Sequence, residues 1–168
     1  MNDFQGKRIV LGVTGGVAAY KSAELVRLLV KAGAEVDVVL TAAGANFVGA
    51  ATFQALSGRR VWQALWDERM DNGMAHIDLT RGAAALLIAP ATADFVAKLT
   101  HGFADDLLST VCLARDCPLL VAPAMNTHMW LNPVVQRNMG WLAQLGRFHV
   151  IGPVSKRLAC GDEGPGGM

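Results

Sequence analysis

An α/β fold, with helices on both faces of a parallel sheet, is the class this sequence predicts, and three observations predict it. Short, nearly all-apolar runs recur along the chain, as strands covered on both faces require. Each run ends in a loop bearing glycine, threonine or proline. A stretch with apolar residues at helical spacing follows most of them. The first run, RIVLGV at residues 8–13, stops at TGG, and residues 18–32 then carry Leu25, Leu28 and Leu29 on one helical face. EVDVVL, residues 35–40, is the second strand and again precedes a helical stretch. AALLIA, residues 84–89, leads into a helix over 93–101, and PLLVA, residues 118–122, into one over 133–145. A last strand is read at residues 148–151. Alternation of this kind, with right-handed crossovers, builds a three-layer sandwich that is Rossmann-like or flavodoxin-like. WDERMDNGMAHIDL, residues 66–79, carries no period and reads as a long projecting loop.

The length, 168 residues, suits a single domain. Apolar residues make up 52% and charged residues only 17%, less than the usual quarter. Apolar surface is therefore left for other subunits, and a homo-oligomer is expected. The formal charge of +1, without a basic run, argues against a nucleic-acid partner, while an anionic small ligand stays open. Cys112, Cys117 and Cys160 are an odd count without CxxC spacing, which suggests neither a disulfide framework nor a zinc site. His76, His101, His128 and His149 show no ligand spacing either, and no metal is expected. The apolar runs are short or broken by glycine and proline, so no membrane partner and a cytoplasmic location are expected.

Ligands of such sheets sit beyond the carboxyl ends of the strands, here the loops TGGVAAYK, TAAG, PATAD and PAMN. A P-loop needs glycine directly before Lys-Ser, whereas Tyr20 precedes Lys21 and Ser22. A dinucleotide fingerprint needs GxGxxG and an acid after the second strand, where this chain has Thr41. Two readings of Gly15 and Gly16 remain: close approach of the backbone to a phosphate at a helix start, or simply a tight turn. Thr92 and Asp94 could cap a helix. Asn126 could do the same, or fix a carboxylate. His76 is the best acid-base candidate among the histidines, against an ordinary loop role.

The chain closes on LACGDEGPGGM, residues 158–168. So many glycines cannot pack a core, so the tail is either frayed or a flap that carries the Cys160 thiol to a site.

GVTGGVAAYK (residues 12–21), GMAHIDL (73–79), APATAD with GFADDLLST (89–110), PAMN (123–126) and LACGDEGPGGM, taken in this order, resemble the FMN-dependent cysteine decarboxylases. The match runs from residue 7 to the end. It implies decarboxylation of phosphopantothenoylcysteine to phosphopantetheine, a carboxy-lyase reaction of coenzyme A biosynthesis that proceeds by thiol oxidation, CO2 loss and re-reduction of the ene-thiol. It also implies FMN held between subunits of a trimer-based homo-oligomer, often a dodecamer. Gly15, Gly16, Val17, Thr41, Ala91, Thr92, Ala93, Asp94 and Met125 would line the cofactor. Of the catalytic residues, His76 would assist the thiol oxidation, Asn126 would hold the substrate carboxylate, and Cys160 would donate the proton that completes the saturated product. Ala159 and Gly161 would touch substrate beside Asn126 and Cys160, in a mobile flap over 153–168. A free thiol is mostly protonated at neutral pH, which suits that role.

One position departs from the family pattern: the tail usually ends GxGRM, and here Gly167 takes the place of the arginine. In many bacteria such a domain is fused to a ligase that makes the substrate, and a fused or separate ligase partner is expected. A flavin prenyltransferase, which lacks the set of His76, PAMN and Cys160, and a non-enzymatic regulatory subunit, of a kind that typically carries an acidic tail or a long extension, are the alternatives.

Overall fold

A computed structural model describes residues 3–66 and 74–168. Six parallel strands form its main sheet: β1 (Arg8–Val13), β2 (Glu35–Leu40), β3 (Val61–Trp62), β4 (Ala85–Ala91), β5 (Leu119–Pro123) and β6 (Phe148–Val150). Their order is β3-β2-β1-β4-β5-β6. The order reverses direction between β1 and β4, which opens a crevice at the carboxyl ends of those two strands.

Side chains alternate across the strands, and each face meets its own helices. Leu11, Val13, Val38 and Leu40 pack with Val26 of α1 (Ala19–Lys31) and Phe53 of α3 (Ala50–Ser57), beside the short α2 (Ala42–Ala45). On the other face Val10, Val39 and Ile88 pack with Ala75 of α4 (Ala75–Asp78), Phe95 of α5 (Ala93–His101) and Leu108 of α6 (Leu107–Ala114). Beyond α7 (Thr127–Leu131), Met139 and Leu142 of α8 (Pro133–Leu142) complete that layer. No helix among the described residues is long and apolar enough to cross a membrane.

Gly12, in the middle of β1, faces α6 so closely that a Cβ there would lie 2.5 Å from Leu108 Cδ1 and 2.8 Å from Ile88 Cδ1. Overpacking of this kind costs about 1–3 kcal/mol. Gly12→Ala is expected to lower the urea midpoint accordingly, and an unchanged midpoint would show that α6 yields freely.

Residues 148–151 are not the last strand, as the pattern suggested. β7 (Val154–Arg157) and β8 (Glu163–Gly167) follow as an antiparallel pair outside the main sheet. Glycine supplies no alternation to read, so backbone pairing makes this hairpin: Lys156 faces Gly164 and Arg157 faces Glu163. At its tip, the Leu158 N–H donates to Asp162 O (2.8 Å) and the Gly161 N–H to Leu158 O (2.9 Å). The hairpin is also tied to the body, because the Met125 N–H donates to Gly166 O at 2.9 Å. Gly166 lies at φ 137°, and a Cβ on it would overlap the Met125 carbonyl oxygen; only glycine satisfies both demands. Of the stretch expected to be a long loop, residues 67–73 lie outside the described residues, whereas His76 sits in the one-turn helix α4.

Candidate active site

Buried hydroxyls stitch the crevice between β1 and β4. Thr14 donates to Pro90 O at 2.6 Å and accepts from the Thr92 N–H at 3.1 Å, while Ser22 of α1 donates to Ala89 O at 2.6 Å. Thr92 also caps α5 by accepting from the Phe95 N–H at 3.2 Å, and Asp94 stands exposed in that helix's first turn. Capping therefore accounts for Thr92 structurally. Thr41 is likewise engaged: it accepts from the Gly44 N–H at 3.0 Å and donates its proton to Val13 O at 3.2 Å.

The two glycines of the first loop do different things. Gly15 packs on α2, where a Cβ would come 2.8 Å from Ala43 Cβ. Gly16, at φ 131°, turns the chain into the start of α1. That start has no side-chain cap and no acid in its first turn. Its positive dipole end is unopposed, and such a helix start suits a phosphate.

Beyond this loop lies a cavity of about 620 Å³, roofed by the hairpin, a size suited to a cofactor or small substrate. Gly16, Val17, Tyr20 and Lys21 line one side, Pro90, Met125 and Asn126 the floor, and Lys156, Ala159, Cys160 and Met168 the hairpin side. Lys21, Lys156 and Arg157 are the charged side chains of its lining among the described residues. Gly15, Thr41, Ala91, Thr92, Ala93, Asp94 and Gly161 are not part of this lining.

Asn126 and Cys160 meet at the hairpin tip. Asn126 Oδ1 caps α7 by accepting from the His128 N–H at 2.8 Å, which leaves the amide nitrogen free for other work. Nδ2 donates to Asp162 Oδ2 at 2.6 Å and approaches Cys160 Sγ at 3.4 Å, and the thiol in turn donates to Asp162 Oδ2 at 3.4 Å. Both readings of Asn126, cap and site residue, are thus served by different atoms of one side chain. Asp162 was missed by the sequence reading; an acid two residues after a flap cysteine was the available signal. His76 does not line this cavity within one copy of the chain, and its Nδ1 is buried without a hydrogen-bond partner among the described residues.

Gly167 leaves a place that another residue fills. A Cβ on it would overlap Lys156 Cε, so the lysine's methylenes lie where a side chain at 167 would begin.

The cysteines divide sharply. Cys160 is exposed, whereas Cys112 and Cys117 are buried, and burial pushes both of those thiols up. A thiol reagent at neutral pH is expected to label Cys160 alone until the protein unfolds. A second fast label in the mass spectrum of the folded protein would contradict this.

A family model described as Flavoprotein matches residues 2–168. The chain belongs to the flavoprotein family. Among its flavoprotein relatives is the coenzyme A biosynthesis bifunctional protein CoaBC of Haemophilus influenzae, 53% identical over 97% of this chain and 40% of the relative. The CoaBC of Escherichia coli K12 is 47% identical over the same shares. The chain thus spans about two fifths of the length of these curated relatives. Among solved structures, it resembles a cysteine-to-serine mutant of PPC decarboxylase complexed with pantothenoylaminoethenethiol, with TM-score 0.83 and 36% identity over 96% of this chain and 90% of that one. SpaF, an FMN-dependent cysteine decarboxylase, gives TM-score 0.84 and 32% identity over the same shares. These relatives match the α/β class read from the strand pattern.

Proposed function

We propose that this flavoprotein uses FMN to decarboxylate phosphopantothenoylcysteine to phosphopantetheine, in the cytoplasm and as a step of coenzyme A biosynthesis. The observation that carries the reading is the cluster of Asn126, Cys160 and Asp162 at one end of a cationic cavity. The PPC decarboxylase and CoaBC relatives support it, and they favour neither the prenyltransferase nor the regulatory-subunit alternative.

The uncapped start of α1 beside Gly16 fits the phosphate of FMN, and apolar Val17, Pro90 and Met125 fit a flat ring. Gly15, Thr41, Ala91, Thr92, Ala93 and Asp94 border the same crevice and complete the proposed cofactor site. When bound, FMN supplies a two-electron acceptor for the substrate thiol and returns the electrons to the product. Asn126 Nδ2 orients the substrate carboxylate and stabilises charge as CO2 leaves. Cys160 Sγ holds the proton that completes the saturated thiol. Residues 153–168 act as the flap that covers this chemistry and keeps water out. Ala159 and Gly161 flank the thiol there.

His76 lies off the cavity of its own copy, so a second copy supplies the histidine across a shared interface. Exposed Val17, Tyr20, Leu131, Val134 and Trp141 support association, and a trimer-based assembly, up to a dodecamer, is the proposed state. A phosphopantothenate–cysteine ligase, fused or separate, supplies the substrate.

The test is to purify the protein, record its visible spectrum and mix it with phosphopantothenoylcysteine, following the products by mass. A yellow protein that releases CO2 and yields phosphopantetheine is the expected result. A colourless protein, or a yellow one that leaves the substrate intact, overturns the reading.

A further inference from the structure

We propose that Arg8 is a positioning residue for His76, acting through the main chain that follows α4; this rests on the decarboxylase reading above, in which the histidine takes part. Side chains alternate along a strand, so Arg8 shares a face of the sheet with Val10, and Asp37 with Val39. That face is where Ala75 and Leu79 pack. Arg8 Nη1 donates to the Leu79 carbonyl oxygen at 2.7 Å and to Asp37 Oδ2 at 3.2 Å, while Nη2 donates to the Arg81 carbonyl oxygen. Asp37, only 6% exposed, accepts on its other oxygen from Arg59 Nε at 2.7 Å. A buried carboxylate needs such partners, and with both oxygens engaged it holds the Arg8 guanidinium in place. The Arg8 main chain grips the same stretch, because its carbonyl accepts from the Ala84 N–H at 2.8 Å.

A helix as short as α4 needs such an anchor. It is a single turn, far below the length at which a helix stands alone, and the carbonyl of its C-cap, Leu79, has no partner within the turn. Ala75 and Leu79 bury apolar surface, but apolar attraction has no direction and leaves the turn free to slide or rotate on the sheet. The planar fork of an arginine, oriented by Asp37, removes that freedom, and its charge suits the negative end of a helix. The ring of His76 has no matching anchor at Nδ1, which is buried without a hydrogen-bond partner among the described residues. Its direction is therefore set by the backbone that carries it. Arg8 is not part of the cavity lining and acts only through this path, from Asp37 to the guanidinium, to the carbonyls of residues 79 and 81, to α4.

The experiment compares CO2 release from phosphopantothenoylcysteine by the wild-type holoenzyme, Arg8→Met, Arg8→Lys and Arg59→Met. Arg59→Met takes a partner from the same carboxylate but leaves the contacts on residues 79 and 81, so it controls for general destabilisation. In Arg8→Met, kcat is expected to fall about 10- to 100-fold, the scale of a misplaced reacting group, with KM unchanged. Arg8→Lys recovers part of the loss, since an ammonium reaches one carbonyl but does not fork across two, and Arg59→Met keeps the wild-type kcat. An unchanged kcat in Arg8→Met, or an equal loss in Arg59→Met, overturns the proposal. A readout without turnover comes from the ring signals of protein labelled with carbon-13 histidine, with His76 assigned by its loss in His76→Gln. The His76 signal is expected to shift in Arg8→Met and to hold in Arg59→Met. That result keeps the placement of the ring by Arg8 even where the wild type leaves the substrate intact and the decarboxylase reading falls. A signal unmoved in Arg8→Met, or moved alike in both variants, overturns it.

Discussion

Cys160→Ser flavoprotein mixed with phosphopantothenoylcysteine is expected to release CO2 but to stall at a product two hydrogens lighter than phosphopantetheine. Loss of a general acid typically costs 10²–10⁴-fold, so the saturated product should fall by at least about 100-fold. Serine keeps a hydroxyl within reach of Asp162 Oδ2, where the thiol now donates at 3.4 Å, but it is a far weaker acid. The substitution therefore removes proton donation and little else. Continued CO2 release serves as the internal control for folding and substrate binding. Normal yield of saturated phosphopantetheine would move the donor role to another group.

Asn126→Asp is the second large effect. The substitution keeps an oxygen that can accept from the His128 N–H, and with it the cap on α7. It removes both amide protons and sets a carboxylate against the substrate's own. CO2 release is expected to fall about 10²–10³-fold, the scale of losing one well-placed donor to developing charge. The same change faces Asp162, now 2.6 Å from the amide, with a like charge that pushes the hairpin away. Adding Asp162→Asn restores a hydrogen bond between the two positions without restoring a donor to the substrate. If the double variant stays inactive, the lost donor is responsible; if it recovers, displacement of the hairpin was the cause.

Much of this fold was readable because β1, β2, β4 and β5 are buried on both faces, and their apolar runs announce it. β3 has two residues, Val61 and Trp62, too few for a period. The hairpin was hidden for another reason: β8 reads EGPGG, a composition that signals a loop, and only pairing with β7 makes it a strand. Within the site, Asn126 and Cys160 were visible through resemblance and do meet. Asp162 was not, since it lies 36 residues from Asn126 in sequence and meets it only when the hairpin folds back. Thr92 was legible as a cap and is one, accepting from the Phe95 N–H, and Thr41 plays the same local part toward the Gly44 N–H.

The bond from Asn126 to Asp162 gives the flap a built-in competitor. On the proposed reading, an arriving carboxylate must displace one that is already tethered to the same protein, at an effective concentration on the order of millimolar. Binding becomes an exchange, and its strength is the difference between two carboxylates rather than the full value of one. Loss of CO2 then deletes the challenger. Asp162 regains the amide without opposition, so the reaction itself weakens the grip on its product, and turnover is cleared by the flap's own side chain rather than by dilution.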